Sequence, residues 1–342
     1  VLVLALSFDV SRIRVLLMQP VALALAAFLV LATASAIWSI EPAASLRSTA
    51  LLALTFFGGL LLADTASGLD EQQRKSLFRG ILAGGVLALT LIFFERATNG
   101  FITRAIQTAK DNTAAPGKDM MSELNSGMSV LALFVWPWLL ALNNRYGKTV
   151  MFLALLVCVG AIVLSNADTP TLALFTGLLV AGLSFVSRKA VLSLFAALMI
   201  ISVTLAPLVP GMLPNPHTEA KAYSGLSNSG VHRLAIWRAV EEHVTKSPVF
   251  GIGMNATRYL YSHADRVVQE YATDDPQKKW ANLSEPIPLH AHNGVLQIWL
   301  ELGGVGAFLF AGVFLMVLWR IRQGFDDGAA TAARLAMLTS GL

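Results

Sequence analysis

Apolar residues in this chain form long runs that are separated by short polar breaks. Most runs are about 15 to 25 residues long, the length that an α-helix needs to cross a hydrocarbon core about 30 Å thick. The pattern therefore predicts a series of complete membrane-spanning helices, with a partial one at each end of the chain. The complete spans lie at about 20–38, 46–63, 77–95, 124–142, 149–165, 171–186, 190–209 and 293–319, and the partial ones at about 1–8 and from about 331.

The composition excludes an ordinary soluble domain. Of the 342 residues, 55% are hydrophobic and only 13% are charged, whereas soluble domains carry about 25% charged residues. We therefore predict an all-α polytopic membrane protein built as a multi-span helical bundle with one large, partly helical loop. Its predicted parts are an N-terminal transmembrane bundle at 1–209, the large loop at 210–291 and C-terminal spans at 292–342.

The positive charges predict how the chain is oriented in the membrane. Counting alternate sides from the loop with Arg12 and Arg14 places most of the short basic loops on one side. Short loops rich in Lys and Arg face the cytoplasm, so the large loop is predicted on the opposite side. The net charge of +4 then reflects topology, and we expect no nucleic-acid partner. The lone Cys158 provides neither a disulfide framework nor a cysteine metal site.

The large loop is the only long polar segment, and it is too rich in apolar residues for disorder. The histidines of the chain all lie in or beside it, at His217, His232, His243, His263, His290 and His292. Histidine avoids lipid, so this clustering alone requires no functional explanation. Within the loop, Ser229 to Lys246 is predicted to form an amphipathic helix. Arg233 lies in its first turns near Trp237, where the helix N-terminus and a bidentate guanidinium both favour an anion.

A polar motif runs directly from the end of the loop into a predicted span. Asn293, Gln297 and Glu301 are spaced to share one face of that helix, and a carboxylate inside a span is costly unless it is paired or faces a wet cavity. The alternative for Glu301 is a structural hydrogen bond to a neighbouring helix. His292 lies at the mouth of the span, where a neutral imidazole could act as a general base. The alternatives are a zinc site with His290, for which no third ligand is evident, and a simple interfacial residue.

These residues suit an anionic, lipid-linked substrate whose phosphate is neutralised by an arginine while a histidine deprotonates an acceptor hydroxyl. In their order along the chain, they resemble the O-antigen ligase and O-antigen polymerase (Wzy_C-like) superfamily, and most closely its O-antigen ligases. The segments that carry the resemblance are Gly230–Trp237, Ser247–Gly253, His290–Gln297 and Glu301–Gly303, with support from Trp38–Pro42 and Leu124–Gly127.

The resemblance implies a glycosyltransferase of the bacterial inner membrane whose large loop and active site face the periplasm. Such an enzyme takes a glycan from undecaprenyl pyrophosphate and, as a ligase in lipopolysaccharide biosynthesis, transfers it with inversion to a hydroxyl of lipid A-core. Arg233 would bind the pyrophosphate and His292 would be the base. From their positions beside His292, we predict that His290, Asn293, Gln297 and Glu301 contact substrate. No metal and no cofactor are implied.

One position departs from the family pattern. Family members often have an arginine in an outer turn between two mid-chain spans, whereas this chain has Asp168 there. A carboxylate repels pyrophosphate, so a second cation is expected from elsewhere, with Arg238 and Arg104 as the first candidates.

Other functions fit the same residues. A polysaccharide polymerase or a protein O-oligosaccharyltransferase would share the chemistry at Arg233 and His292 and differ only in the acceptor. A more remote alternative is a transporter for a lipid-linked glycan, which predicts charged or helix-breaking residues near the middle of spans.

Overall fold

The computed structural model describes residues 17–109, 125–165, 168–223, 225–226, 228–261, 267–271, 280–323, 333–335 and 337. In these ranges the chain is mostly helical, as the hydrophobic pattern predicts. The helices are α1 Pro20–Ala34, α2 Pro42–Ser67, α3 Glu71–Ala97, α4 Phe101–Ala109, α5 Asn125–Tyr146, α6 Lys148–Val163, α7 Asp168–Leu205, α8 Val209–Met212, α9 Asn228–Lys246 and α10 Gly294–Gln323.

Six of the described helices are long and apolar enough to cross a membrane, and α6 is a shorter apolar helix. Helix α7 is interrupted at Ser187, whose φ of −155° and ψ of 99° are not helical. The Ser187 hydroxyl accepts a hydrogen bond from the Ala190 amide and so caps the second half. This interruption corresponds to the boundary between the predicted spans at 171–186 and 190–209. The chain is therefore a multi-pass membrane protein.

Many large apolar side chains on these helices are exposed, including Val30, Phe185 and Val186. In a soluble protein such a surface would favour aggregation, whereas in a bilayer it contacts lipid. The exposure thus agrees with the membrane assignment from composition.

By its contacts the chain forms two compact units, one of residues 1–67 and 195–319 and the other of 68–194 and 320–342. This division follows packing, whereas the predicted boundaries after 209 and 291 follow membrane topology and stay predictions. In the second unit, a buried core around Trp138, Val135 and Ile162 joins α3, α5 and α6.

In the first unit, helix α9 of the large loop packs on the start of α10. Ile236, Val240 and Val244 are buried against Leu296 and Leu300. The large loop also contains two antiparallel strands, β1 Val267–Tyr271 and β2 Trp280–Ser284, with Val267 opposite Ser284. No pattern of apolar and polar positions predicted this strand pair.

Helix α10 is interrupted where a continuous span was predicted. Gly303 has a φ of 63° and a ψ of −165°, a conformation that an L-residue rarely adopts. In a regular helix Gly304 and Val305 would donate their amides to the carbonyls of Leu300 and Glu301. Here that pairing is replaced by hydrogen bonds to another segment of the chain.

The replacement comes from residues 248–253 of the large loop, which we call the bracing segment. Its amides at Ile252 and Gly253 donate to Leu300 O and Glu301 O, at 3.0 and 2.9 Å. In return, its carbonyls at 248 and 249 accept from the amides at 304 and 305, at 2.9 and 3.2 Å. The carbonyls of Leu300 and Glu301 and the amides of Gly304 and Val305 are therefore satisfied, as a low-dielectric environment requires.

Candidate functional site

Arg233 lies on α9, which extends over Asn228–Lys246 and so confirms the predicted amphipathic helix. The apolar positions of α9 face the core of the first unit, because they repeat with the helical period. Arg233 is exposed near the start of the helix. Its guanidinium is near enough to His292 for its positive charge to lower the pKa of that ring. The structure thus brings together the two residues that the sequence analysis selected as catalytic.

His292 occupies an unusual position immediately before α10. Its φ is 51°, in the left-handed region, and the centroid of its exposed ring is 4.1 Å from that of His290. Partial desolvation of the ring lowers the pKa of His292 below its ordinary value of 6.5, and the neighbouring His290, Arg233 and His232 lower this pKa further. At neutral pH the imidazole is therefore uncharged and can accept a proton.

The backbone next to His292 is fixed from two sides. The Ala291 amide donates to Oε1 of Gln297 at 2.7 Å, and the Ala291 carbonyl accepts from Nε1 of Trp237 at 3.0 Å. Asn293 caps α10, since its Oδ1 accepts from the amides at 295 and 296. We call the contacts of Gln297 and Trp237 with Ala291 the Ala291 clamp. It joins α10 to the helix that carries Arg233.

Glu301 is buried, and its carboxylate has partners within the protein. Oε1 accepts hydrogen bonds from the Thr257 hydroxyl at 2.9 Å and from the Gln297 amide at 2.6 Å. The same amide also donates to the Thr257 hydroxyl. These contacts agree with the structural alternative for Glu301, and they engage both polar ends of the Gln297 side chain. Direct binding of substrate by Gln297 and Glu301 stays a prediction.

The bracing segment and the adjacent Met254 also contact the turn that follows α1 and the first turn of α2, a role that no sequence pattern indicated. The Ser45 hydroxyl donates to Met254 O at 2.7 Å, and the Met254 amide donates to the Ser35 hydroxyl at 2.9 Å. Nε1 of Trp38 donates to Phe250 O, and a Cβ on Gly253 would overlap Ser39. The signal present in the sequence was the small residues themselves, Gly251 and Gly253 in one segment and serines in the other.

The candidate second cations lie elsewhere. Arg238 follows Arg233 by five positions, which turns it about 140° around the helix, and its Nη1 donates to Leu213 O at 3.1 Å. Arg104 is exposed on α4, in the other compact unit. Asp168 is the first residue of α7, and the two residues before it lie outside the described ranges. The pyrophosphate roles of Arg238 and Arg104 stay predictions.

A cavity of about 330 Å³ lies beside the Ala291 clamp. Its wall is mostly apolar, with Ser202 and Asn293 as polar members. The lining residues are Ile201, Ser202, Leu205, Ala206, Val209, Pro210, Trp237, Asn293, Val295 and Leu296. Such a surface suits a hydrocarbon chain close to the polar residues at the mouth of the span.

Two other histidines of the large loop are His243 and His263. His243 is paired with the Tyr261 hydroxyl at 2.9 Å, and His263 lies outside the described residues. Among the residues that the structure describes, no three or more His, Cys, Asp or Glu side chains come together as a metal site would require.

Residues 151–311 match the family model described as O-antigen ligase. The chain is also similar to two curated proteins named "Putative polysaccharide ligase". The one from Rickettsia conorii is 27% identical over 81% of this chain and 62% of its own length. The one from Rickettsia felis is 29% identical over the same shares of the two chains.

The chain thus spans about 62% of the length of these curated relatives. No solved structure gives a significant match. The matched domain contains Arg233, His292 and the interruption of α10, and the relatives align with most of the chain. Together these findings show that the chain is similar to the O-antigen ligase family over residues 151–311 and to the two polysaccharide ligases over most of its length.

Proposed function

We propose that this protein is an O-antigen ligase that transfers a glycan from undecaprenyl pyrophosphate to a hydroxyl of lipid A-core on the periplasmic side of the inner membrane. The observation that carries the proposal is the position of His292 at the mouth of α10, with Arg233 close enough for its positive charge to act on the ring. Similarity to the O-antigen ligase family supports an enzyme that acts on polysaccharides. The donor, the acceptor and the residue roles are our proposal.

In the proposed reaction His292 takes the proton of the acceptor hydroxyl as the oxygen attacks the anomeric carbon of the donor glycan. The bond from that carbon to the pyrophosphate oxygen breaks, and its electron pair leaves with undecaprenyl pyrophosphate. Arg233 neutralises the charge of the leaving group. Attack from the face opposite the leaving group inverts the anomeric carbon.

The apolar cavity beside the Ala291 clamp accommodates the lipid part of the donor in this proposal. It lies next to Trp237, on the helix of Arg233, and next to Asn293, which follows His292. A polyprenyl chain in the cavity would therefore place its pyrophosphate close to the polar residues. A polymerase or a protein O-oligosaccharyltransferase would use the same donor side with a different acceptor.

The geometry of α10 gives the transporter alternative little support. A transporter uses an interrupted span to present free backbone groups to its substrate or coupling ion. At Gly303 the freed carbonyls and amides are bonded to the bracing segment, so they are not available for a ligand.

Replacement of His292 by alanine tests the proposal. We expect His292→Ala to abolish transfer from the lipid-linked glycan to lipid A-core in a purified system, because the base is lost while the donor contacts remain. Product formation is followed by the size of the acceptor on a gel, with a second lipid-linked repeat unit offered in parallel as acceptor.

His217→Ala is the matched control, since His217 is an exposed histidine of the same large loop. It should retain transfer. Normal turnover by His292→Ala would disprove the role as base, and growth of only the lipid-linked repeat would reassign the protein as a polymerase.

A further inference from the structure

A second cavity, of about 600 Å³, lies between α3 and α5 in the other compact unit. The helices contribute positions with helical spacing, so one face of each lines the cavity. The residues from α3 are Lys75, Phe78, Arg79 and Leu82, and those from α5 are Ala141, Asn144, Arg145 and Tyr146. None of them belongs to the site at His292.

The polar end of this cavity is positively charged. Lys75 has an ion pair with Glu71 at 2.7 Å, but both side chains are exposed, and an exposed pair of this kind is weak and exchanges readily. In the part of the chain that the structure describes, Arg79 and Arg145 have no carboxylate within ion-pair distance. Lys75, Arg79 and Arg145 thus line one end of the cavity, and the one carboxylate paired with them among the described residues is that of the exposed Glu71.

The other end of the cavity is apolar and rigid. Trp138 of α5 is buried, and its Nε1 donates to Leu82 O at 3.2 Å. Its indole lies so close to Gly85 that a Cβ there would overlap the ring. This contact fixes the distance between α3 and α5 next to Leu82. The packing of the two helices therefore holds the apolar end of the cavity in place.

The cations lie at the ends of two helices that are long and apolar enough to cross a membrane. Lys75 and Arg79 are in the first turns of α3, and Arg145 is in the last turn of α5. Leu77 and Phe78 are partly exposed at the same level. A ligand here therefore meets cations at its head and hydrocarbon below, on the side that the positive-inside rule assigns to the cytoplasm.

We propose that this cavity binds an anionic phospholipid. Its phosphate head group contacts Arg79, Arg145 and Lys75, and its acyl chain lies against Phe78 and Leu82. Free phosphate could contact the same cations, but it would gain nothing from the apolar end. Basic pockets between membrane helices are recognised binding sites for anionic head groups.

The test uses the purified full chain in a neutral detergent, and native mass spectrometry measures the lipid that it retains. Phosphatidylglycerol and phosphatidylcholine with the same acyl chains are titrated separately, and inorganic phosphate is added as a competitor. The wild type should prefer phosphatidylglycerol. The double variant Arg79→Gln, Arg145→Gln should bind it about 25-fold more weakly, at about fivefold for each cation removed.

The double variant Arg74→Gln, Lys148→Gln is the matched control. It removes two cations from the same predicted side of the membrane, but neither residue lines the cavity. It should retain the preference for phosphatidylglycerol. The double variant Arg79→Lys, Arg145→Lys keeps both positive charges and should retain most of the binding. It keeps the proposal testable if Arg79→Gln, Arg145→Gln does not fold.

Equal retention of the two lipids by the wild type would overturn the proposal, and so would full binding by Arg79→Gln, Arg145→Gln. Displacement of phosphatidylglycerol by an equal concentration of inorganic phosphate would show that the site recognises the anion alone and not the lipid.

Discussion

The protonation of His292 links the proposed base to its neighbour Arg233. A base must be neutral, and desolvation together with nearby positive charge lowers the pKa of His292 below 6.5. We expect kcat/KM of the wild type to fall only when the pH drops below that value. Arg233→Gln removes one of the positive charges that disfavour the imidazolium, so the pKa rises and the acid limb of the profile moves to higher pH. The pH dependence of kcat/KM measures both effects.

Arg258→Gln is a suitable control for this shift. It removes an exposed cation of the same large loop that is not among the charges acting on His292. Its acid limb should coincide with that of the wild type. An acid limb that stays in place in Arg233→Gln would show that the two residues are not coupled.

Gln297 positions His292 through the Ala291 clamp. Gln297→Leu leaves the Ala291 amide without its partner and removes one of the partners of the Glu301 carboxylate, which costs about 1–3 kcal/mol of stability. We expect kcat to fall while the acid limb stays at the wild-type pH, because no charge near His292 has changed. Thermal unfolding and a pH profile of kcat together measure this result.

The control is Gln323→Leu, the same substitution at the exposed C-terminal end of α10. It should change neither the kcat nor the thermal unfolding temperature. If Gln297→Leu kept the kcat of the wild type, the clamp would be dispensable for positioning.

The interruption of α10 depends on a single glycine. At Gly303 a Cβ would overlap the backbone of Val249, and the φ of 63° is itself unfavourable for any other residue. Gly303→Ala should therefore lower stability by about 1–3 kcal/mol from the backbone conformation alone, and by more from the overlap. The melting temperature of the purified protein is the measurement.

Gly312→Ala provides the comparison within the same helix, since a Cβ there meets no heavy atom within 4 Å. It should leave the melting temperature nearly unchanged. Equal melting temperatures for the two variants would mean that the bracing segment does not hold the interruption in place.

For the protein as a whole, the predicted orientation can be tested with the help of its single cysteine. Cys158 is completely buried, so the chain has no reactive thiol of its own on the surface. We expect an impermeant maleimide, added to spheroplasts, to label Tyr259→Cys in the large loop but not Lys148→Cys in a basic loop. Both should be labelled after lysis.

The unmodified chain, which retains Cys158, is the control for background labelling. If only Lys148→Cys were labelled in intact spheroplasts, the topology would be the reverse of the predicted one, and the site at His292 would face the cytoplasm.

The membrane helices and α9 could be predicted because their signal is local. A run of apolar residues, or a pattern with the helical period, can be recognised from the residues of one segment alone. The observed bounds of α9 accordingly differ from the predicted ones only at the first residue. The sequence also predicted that Arg233 and His292 belong to one site, through the family resemblance.

The interruption at Gly303 could not be predicted in the same way. It exists because a segment far away in sequence supplies four backbone partners, and the Gly-Gly pair at 303 and 304 by itself is equally typical of close helix packing. The contact of Glu301 with Thr257 was missed for the same reason, since Thr257 lies in the loop and carries no pattern that points to a membrane helix. Contacts between distant segments are where the sequence analysis fell short.

The bracing segment has a consequence for how the protein is made. Translation proceeds from the N-terminus, so residues 248–253 already exist when the ribosome adds residues 300–305. The last described span can therefore find its backbone partners as soon as it enters the bilayer. A C-terminal fragment expressed without the loop would bring those groups into hydrocarbon unpaired, at several kcal/mol for each. This span is thus a poor independent insertion unit, and split versions of the protein should be divided before the large loop and not after it.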